Sequence, residues 1–304
     1  MAFRIAVYNA VSQRGLERLA APRYAVAKAM PEADAILLRS HDLAVSEIGP
    51  MVKAIGRCGV GVNNIPLAEA DRRGIPVFNA PGANANAVKE LVLAAMLATA
   101  RNLVPAAAYV AALPAGGDFE KLVEDGKKQF AGYELPGRTL GVIGLGAIGL
   151  RFAKMADALG MRVIGFDPFA RNLPDYVQSV SLETIWREAD AVSLHCPLTD
   201  ENRGMLNAAT LAQCKRGVIV VNTARGGLID EAALLAAVRS GQVMAAGLDS
   251  FAVEPMVAGH PFQGEKNFIL SPHIGGVTSD AYVNMGVAAA KNLLAVLARQ
   301  GAPA

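Results

Sequence analysis

One segment, residues 140–167, limits the fold of this chain more than any other. An apolar run at 140–143 leads into Gly-Leu-Gly-Ala-Ile-Gly at 144–149, and a helix-like stretch follows until Gly160. A glycine-rich turn between a strand and a helix leaves backbone N–H groups free at the helix N-terminus, where they bind phosphate groups. The segment therefore predicts the first βαβ unit of a dinucleotide-binding domain.

The three glycines of this turn have separate predicted roles. We expect Gly144 to permit the tight turn, Gly146 to admit the pyrophosphate of a dinucleotide, and Gly149 to let the helix pack on the strand. Ala147 and Ile148 lie between the glycines and belong to the same predicted cofactor site. The alternative is a glycine-rich turn that binds nothing.

Asp167 ends the next apolar run, 18 residues after the last glycine of the turn. A carboxylate at this place accepts hydrogen bonds from ribose hydroxyl groups and repels the additional phosphate of NADP. NAD is therefore the predicted cofactor. Arg171 follows closely and keeps NADP open as an alternative.

Short apolar runs recur along the chain in two series. The first series covers residues 3–8, 34–40, 52–61 and 75–81, and the second covers 140–146, 161–168, 189–198, 217–227, 244–251 and 267–276. The runs do not alternate polar with apolar residues, which is typical of parallel strands that are buried on both faces. The sequence predicts an α/β protein with two doubly wound parallel sheets. A length of 304 residues agrees with two domains of about 150 residues each.

Two helix-like regions connect these series. Residues 86–101 are rich in helix formers, and residues 279–300 read as one long helix with Ser279 as its N-cap. Two crossings between domains predict a hinge, and a cleft at such a hinge is a usual place for a ligand.

Composition excludes several classes of function. With 29 Lys+Arg against 27 Asp+Glu and 6% aromatic residues, the chain lacks the charge and the stacking residues of nucleic-acid binding proteins. The longest stretch without a charged residue is 102–117, which contains two prolines, so no membrane span is expected. Cys58, Cys196 and Cys214 fit neither a disulfide framework nor a metal site, which favours the cytoplasm and predicts no metal.

Arg225, Glu254 and His273 each follow an apolar run of the second series. The carboxyl ends of parallel strands face the ligand crevice, so these side chains are expected to converge there. Histidine can exchange a proton with a hydroxyl group, a carboxylate favours its imidazolium form, and arginine can bind a carboxylate. Taken singly, each residue has a structural alternative in a strand end, a turn or a solvated loop. Their joint position after the dinucleotide unit favours a catalytic group for hydride transfer.

The other three histidines receive lesser roles. His195 also ends an apolar run and is expected to shape the cofactor pocket. His41 and His260 lie in loop-like sequence and are expected to be solvated.

The motifs GLGAIG with Asp167, LHCPLT, VNTARGGLIDEAAL, AGLDSFAVEP and SPHIGG, in this order, resemble the D-isomer-specific 2-hydroxyacid dehydrogenases over nearly the whole chain. The resemblance implies that Arg225 binds the substrate, that His273 is the acid/base and that Glu254 is its partner. It also implies a cofactor site that contains Arg225 and His273 together with Cys196, Thr223, Ala224, Asp249 and Gly276.

The same resemblance implies a domain organisation. Residues 1–98, completed by the helix at 278–304, would form a flavodoxin-like substrate domain, and residues 99–277 a Rossmann NAD-binding domain. Residues 103–137 would form an arm through which the NAD-binding domains pair in a homodimer. The alternative for this arm is a simple surface loop.

Within the family, the N-terminal half is similar to D-3-phosphoglycerate dehydrogenases. Arg39 and Arg57 end two apolar runs and are predicted to bind a phosphate, while Val60 and Gly61 would offer backbone groups to the substrate carboxylate. The expected substrate is therefore 3-phosphoglycerate, as in the first step of serine synthesis. The alternative is that both arginines are ordinary exposed residues.

Departures from that pattern leave two other functions open. Asn63 stands where relatives often have Asp, and PHIGGVTS at 272–279 also occurs in glyoxylate and hydroxypyruvate reductases of the family. The chain ends after its last helix, so a serine-binding regulatory domain is not expected. An NAD-sensing corepressor is the alternative of another class, and the absence of a long disordered tail argues against it.

Overall fold

The computed structural model describes residues 2–9, 11–19 and 22–299, and the predicted helical residues 300–304 lie outside this part. The chain divides into two compact units, of which the first comprises Met1–Ala87 with Gly276–Ala304 and the second Val88–Gly275. The predicted domain boundary at residues 98 and 99 falls inside a helix that runs from Ala85 to Ala100.

Parallel strands and helices alternate through both units. The strands are β1 Phe3–Tyr8, β2 Tyr24–Lys28, β3 Ala35–Leu38, β4 Ala54–Arg57, β5 Val77–Phe78, β6 Thr139–Ile143, β7 Arg162–Phe166, β8 Gln178–Ser179, β9 Ala191–Leu194, β10 Val218–Asn222, β11 Val243–Leu248 and β12 Phe268–Leu270. The helices are α1 Gln13–Leu16, α2 Leu67–Arg72, α3 Ala85–Ala100, α4 Leu103–Ala112, α5 Phe119–Gly126, α6 Gly149–Ala158, α7 Leu182–Glu188, α8 Ala208–Gln213, α9 Glu231–Arg239 and α10 Ser279–Arg299.

The first unit contains a five-stranded parallel sheet in the order β2-β1-β3-β4-β5. This is the doubly wound order of flavodoxin-like folds, which confirms the predicted α/β class. All four residues of β3 are buried, as expected for a run without polar alternation. The strand order changes direction between β1 and β3, and both β3 and β4 end near the predicted substrate residues.

Helix α10 is the inner helix of the first unit and packs against α1 and β4. By length and composition alone it is apolar enough to cross a membrane, and α3 with α4 passes the same test as a pair bent by 63°. The prediction that the chain has no membrane span rests on the length of stretches without charged residues. Helix α10 does not count as such a stretch, because it has charged residues at exposed positions. Its side chains at Ala289, Leu293 and Leu297 are fully buried in the unit, as in the core helix of a globular domain.

Two glycines set the distance between α1 and α10. A Cβ atom added to Gly15 would lie 2.7 Å from the carbonyl carbon of Gly286, and one added to Gly286 would overlap the side chain of Ser12. Ser12 is also the N-cap of α1, because its side chain accepts a hydrogen bond from the Gly15 N–H. The backbones therefore approach closely only because both positions are glycine.

The second unit contains a seven-stranded parallel sheet in the order β12-β11-β10-β9-β6-β7-β8. This is the dinucleotide-binding order with one additional strand at the edge, and it confirms the Rossmann prediction. The order reverses between β6 and β9, so the carboxyl ends of these two strands border the crevice in which such folds bind ligands. Side chains of Ser181, Asn207 and Asp230 cap the helices that follow them.

We predict that Gly15→Ala lowers the stability of the first unit. Alanine normally favours a helix, but here its methyl group would collide with the backbone of α10, and overpacking of this kind costs about 1–3 kcal/mol. Calorimetry should show a lower melting temperature. The control is Arg14→Ala, since Arg14 is exposed on the same helix. A melting temperature equal to that of the unmodified chain would contradict the prediction.

Candidate active site

Asp249 follows β11 and accepts hydrogen bonds from the loop after β12. Its Oδ1 accepts from Ser271 Oγ at 2.5 Å and from the Ile274 N–H at 2.7 Å, and its Oδ2 accepts from the Gly275 N–H at 2.7 Å. The side chain is buried, so these donors replace the water that a carboxylate requires. The loop that carries His273 is thereby held at the carboxyl edge of the sheet.

His273 lies in this loop with a left-handed backbone, at φ 55°. Few non-glycine residues adopt this conformation, and it is enriched at functional sites. The His273 Nδ1 lies 2.7 Å from Oε2 of Glu254. The hydrogen bond to Glu254 raises the pKa of His273, and the charge of Asp249 adds to this effect, whereas burial and the charge of Arg225 oppose it.

Glu254 is the second member of this pair. Its other carboxylate oxygen, Oε1, accepts from the Phe251 N–H at 3.0 Å. Burial opposes the charged form, but the hydrogen bonds from His273 and the Phe251 N–H outweigh it, so the pKa of Glu254 is lowered. The opposite shifts favour an imidazolium paired with a carboxylate.

Arg225 follows β10 and lies close enough to shift the pKa values of Glu254 and His273 through its charge. The turn is held by Asn222, whose Nδ2 donates to the Arg225 carbonyl at 2.8 Å and whose Oδ1 accepts from the Ala224 N–H at 3.0 Å. The structure thus brings Arg225, Glu254 and His273 together, while their catalytic roles stay a prediction.

Sequence reasoning missed Asn222 and Ser271, which hold the loops of this group. Asn222 is fully buried at the end of the apolar strand β10, and Ser271 follows β12 directly. A polar residue that ends an otherwise apolar strand was the available signal.

The glycine-rich turn has the shape that a phosphate-binding loop needs. Gly144 has φ 93°, and a Cβ there would lie 2.6 Å from the Cys196 backbone nitrogen. A Cβ on Gly149 would overlap the Gly144 carbonyl, whereas a Cβ on Gly146 would meet open space. The first and third glycines are therefore required by the protein itself, and only Gly146 leaves room for another molecule.

The side chain of Asp167 orders the edge of this turn. Its Oδ2 accepts from the Leu145 N–H and its Oδ1 from the Phe169 N–H, each at 2.9 Å. Arg171 donates from Nη1 to the carbonyl groups of Pro168 and Ala170, so its guanidinium is folded onto its own loop. The acidic group predicted to select NAD is thus in place.

Of the other predicted cofactor residues, Ala147 and Ile148 lie within the turn and Cys196 lies next to Gly144. Ile148 packs in the apolar core, and the Ala147 carbonyl accepts a hydrogen bond from Arg151 Nη1. Burial raises the pKa of the Cys196 thiol, and the charge of Asp167 adds to this effect. These contacts keep the thiol protonated at neutral pH.

His195 lies at the end of β9, under the turn. Its Nε2 is 2.8 Å from Ser193 Oγ, and burial lowers the pKa of the ring to about 4. The ring is therefore neutral near pH 7. Such a group supports the loop and is unsuited to donate a proton.

Thr223 Oγ1 is buried and has no hydrogen-bond partner in the part of the chain that the structure describes. Thr223 and Asp249 border a cavity of about 170 Å³, and the apolar wall of this cavity comes from α3 and β12. An unpartnered hydroxyl group of this kind is a group that a bound molecule can satisfy.

The other predicted site residues belong to the first unit. Arg39 follows β3, Arg57 is the last residue of β4, and Val60 and Gly61 come shortly after it. The first unit also includes Gly276. Cys58 lies among them, and burial raises the pKa of its thiol to about 12. It is therefore an unreactive core residue.

The expectation that His260 is solvated is wrong. His260 is only 7% exposed and its ring lies 4.9 Å from the ring of Phe262. His41 is partly exposed, stacks on Tyr8 and contacts Glu47 at 2.9 Å. Loop sequence predicts exposure poorly when aromatic residues flank a histidine.

Comparison with known proteins identifies relatives for most of the chain. Residues 93–275 match the family described as "D-isomer specific 2-hydroxyacid dehydrogenase, NAD binding domain". The hydroxypyruvate reductase of Thermotoga maritima is 42% identical over 265 residues, which are 86% of this chain and 83% of that protein. The D-3-phosphoglycerate dehydrogenase of Archaeoglobus fulgidus is 39% identical over 274 residues, which are 87% of this chain and 50% of that protein.

This chain therefore spans about half the length of the phosphoglycerate dehydrogenase it matches. Among solved structures, the TT0316 protein of Thermus thermophilus superposes with a TM-score of 0.84 at 35% identity, covering 98% of this chain and 97% of that chain. The second unit fits the dinucleotide that the family description names. Open space at Gly146, the unsatisfied Thr223 hydroxyl group and the Asp167 carboxylate are the features that NAD requires.

We predict that Gly146→Ala weakens NADH binding without loss of stability. The methyl group meets no protein atom within 4 Å, so it would occupy only the space of the ligand. The dissociation constant from fluorescence titration should rise about tenfold or more, which corresponds to about 1.4 kcal/mol. Gly144→Ala is the comparison and should lower the melting temperature as well. Unchanged NADH affinity in Gly146→Ala would contradict the assigned role.

Proposed function

The chain belongs to the D-isomer specific 2-hydroxyacid dehydrogenases, which are NAD-dependent oxidoreductases, and from this premise we propose that it oxidises 3-phosphoglycerate to 3-phosphohydroxypyruvate. That reaction begins serine synthesis. The proposal includes a cytoplasmic location, which three free cysteines favour.

His273 is the proposed acid/base. In the direction of oxidation its neutral ring takes the proton of the substrate hydroxyl group, and in reduction its imidazolium returns a proton to the carbonyl oxygen. NAD, when bound, supplies the hydride acceptor. Glu254 holds the ring through its 2.7 Å contact with Nδ1, which leaves Nε2 as the atom that faces the substrate. Arg225 binds the substrate carboxylate with the planar donor pattern of its guanidinium.

The observation that carries the choice of substrate is a group of donors around Cys58. Burial raises the pKa of the Cys58 thiol, and the charges of Arg57 and Arg39 both oppose this rise, so each arginine lies near the thiol. The N–H groups of Val60 and Gly61 donate no hydrogen bond within the described residues, although the Val60 carbonyl accepts one from Asn79. Two arginines suit a doubly charged phosphate, and the two available N–H groups suit the substrate carboxylate.

Tyr282 orients the guanidinium of Arg39, which is one of the two proposed phosphate-binding groups. The guanidinium carbon of Arg39 lies 3.9 Å from the centre of the Tyr282 ring. Stacking of this kind fixes the plane of the guanidinium while its N–H edges stay available to an anion. A single ring therefore orients the donor at little cost in side-chain entropy.

A second candidate is the reduction of hydroxypyruvate or glyoxylate. It is favoured by the relative from Thermotoga maritima, which is named a hydroxypyruvate reductase and matches this chain over 83% of its own length. The arginines then have no phosphate to bind. The two candidates share the cofactor, Arg225, Glu254 and His273, and they differ in Arg39 and Arg57.

The substrate is tested by initial rates of NADH formation. We expect 3-phosphoglycerate to be oxidised faster than D-glycerate and D-lactate, with NAD preferred to NADP. Arg39→Gln and Arg57→Gln should each lower kcat/KM for 3-phosphoglycerate about 10- to 100-fold, as expected for a lost charged hydrogen bond, and spare D-glycerate. Arg18→Gln, at an exposed arginine of the first unit, is the control. Activity only on unphosphorylated acids would select the second candidate, and no NADH with any acid would contradict both.

The pH dependence tests the pair of Glu254 and His273. Reduction of the keto acid needs the imidazolium, so kcat/KM should be constant below the raised pKa of His273 and fall above it. Glu254→Gln removes the charge that raises this pKa. The falling limb should move about one pH unit lower, and the maximal rate should decrease about 10- to 100-fold. The exposed Glu201→Gln is the control, and a limb that stays in place in Glu254→Gln would refute the assignment.

We also propose a homodimer that pairs through the second unit. Helix α4 has no buried residue, and Leu103 and Val110 on one of its faces are 60% and 51% exposed. A second copy is the proposed cover for this apolar surface. Sedimentation should give a dimer at micromolar concentration, and Leu103→Glu with Val110→Glu should give a monomer. Leu159→Glu, at an exposed leucine that follows α6, should stay dimeric, and a monomeric unmodified chain would refute the proposal.

A further inference from the structure

The segment that carries Glu254 is attached to α9 by a histidine and a glutamate that the reaction itself does not use. His260 is buried between two aromatic rings, with its ring centre 5.6 Å from that of Phe251 and 4.9 Å from that of Phe262. A buried imidazole needs polar partners on its nitrogens. One nitrogen of His260 accepts a hydrogen bond, and the other lies close to a carboxylate.

The backbone of the segment fixes the tautomer of this ring. The His260 Nδ1 accepts a hydrogen bond from the Phe262 N–H at 3.3 Å, so the proton of the neutral ring is on Nε2. Nε2 lies 3.4 Å from Oε2 of Glu231. The ring therefore presents a positive edge to this carboxylate.

Glu231 is the first residue of α9, and its second oxygen reaches the segment directly. Oε1 accepts from the Ala252 N–H at 2.9 Å. The preceding N–H, that of Phe251, donates to Oε1 of Glu254 at 3.0 Å. Two successive N–H groups are thus bound by two carboxylates, one on the scaffold and one in the proposed active site.

The peptide group between Phe251 and Ala252 also lies against the residue that follows Arg225. A Cβ atom on Gly226 would overlap the carbonyl group of Phe251 and the nitrogen of Ala252. The backbone after Arg225 therefore rests directly on this peptide. The position of the Phe251–Ala252 peptide therefore affects the positions of both Glu254 and Arg225.

We propose that Glu231 and His260 are positioning residues, which hold the Phe251–Ala252 peptide and through it set the contact between Glu254 and His273. The inference rests on the proposed roles of Glu254 and His273. The groups that act on His273 are Glu254 in this segment, Asp249 after β11 and Arg225 after β10. Glu231 and His260 act on it only through the backbone.

The chain contains a matched control for Glu231, namely Glu265. Glu265 forms an ion pair with Arg239 at 2.5 Å, and this pair joins the last turn of α9 to a later part of the same segment. The side chains of Glu265 and Glu231 are 24% and 25% exposed. A merely structural role predicts similar effects for the two glutamates, whereas positioning predicts an effect on His273 for Glu231 alone.

The experiment measures the pKa of His273 by NMR in the cofactor-free protein, with His273→Gln to assign the signal, and the pH profile of keto-acid reduction. His260→Asn keeps an acceptor for the Phe262 N–H but removes the nitrogen that lies beside Glu231, and His260→Gln can return a nitrogen to that place. Both variants lose the ring, so their stabilities should fall alike. Glu231→Gln, Glu265→Gln and Glu254→Gln complete the set.

We expect His260→Asn and Glu231→Gln to lower the pKa of His273 by about 0.5 units and to move the falling limb with it, and Glu254→Gln to have a larger effect. His260→Gln and Glu265→Gln should leave both unchanged. If Glu254→Gln shifts the pKa while His260→Asn and Glu231→Gln do not, the positioning inference alone fails. If Glu254→Gln has no effect either, the proposed role of Glu254 fails and the inference falls with it.

Discussion

The burial of one carboxylate, Asp249, underlies the arrangement of the second unit. A carboxylate that is 2% exposed must be compensated by donors, and here these come from Ser271 and from the two N–H groups that follow His273. Because those donors belong to a loop, their hydrogen bonds also determine where the loop runs. The left-handed backbone of His273 persists because the residues on both sides are fixed in this way.

Two histidines of the second unit have pKa values that are shifted in opposite directions by their surroundings. His195 is partly buried beside a serine hydroxyl group, and the loss of solvent lowers the pKa of its ring. His273 faces Glu254 and Asp249, so its protonated form is favoured. The pKa of the first ring is thus lowered, and that of the second is raised. The difference follows from which groups lie at the carboxyl ends of neighbouring strands.

The sequence was sufficient for the parts of the fold that depend on local pattern. Apolar runs without alternation predicted both parallel sheets, and the spacing from Gly144 to Asp167 predicted the dinucleotide unit, because these signals are set by neighbours along the chain. The burial of His260 and the role of Asn222 depend on residues that are distant in sequence, and the local pattern does not contain them. The division of the chain inside α3 has the same origin, since a continuous helix gives no local signal where packing partners change.

The close approach of Gly15 to Gly286 has a consequence for the order in which the chain acquires its structure during translation. The second unit is one continuous stretch, Val88–Gly275, whereas the first unit needs segments from both ends of the chain. Synthesis proceeds from the N-terminus, and domains fold as units once their residues are available. The unit that is made first is therefore completed last. Until α10 leaves the ribosome, the face of β4 that it covers and the surface around Gly15 stay exposed to solvent.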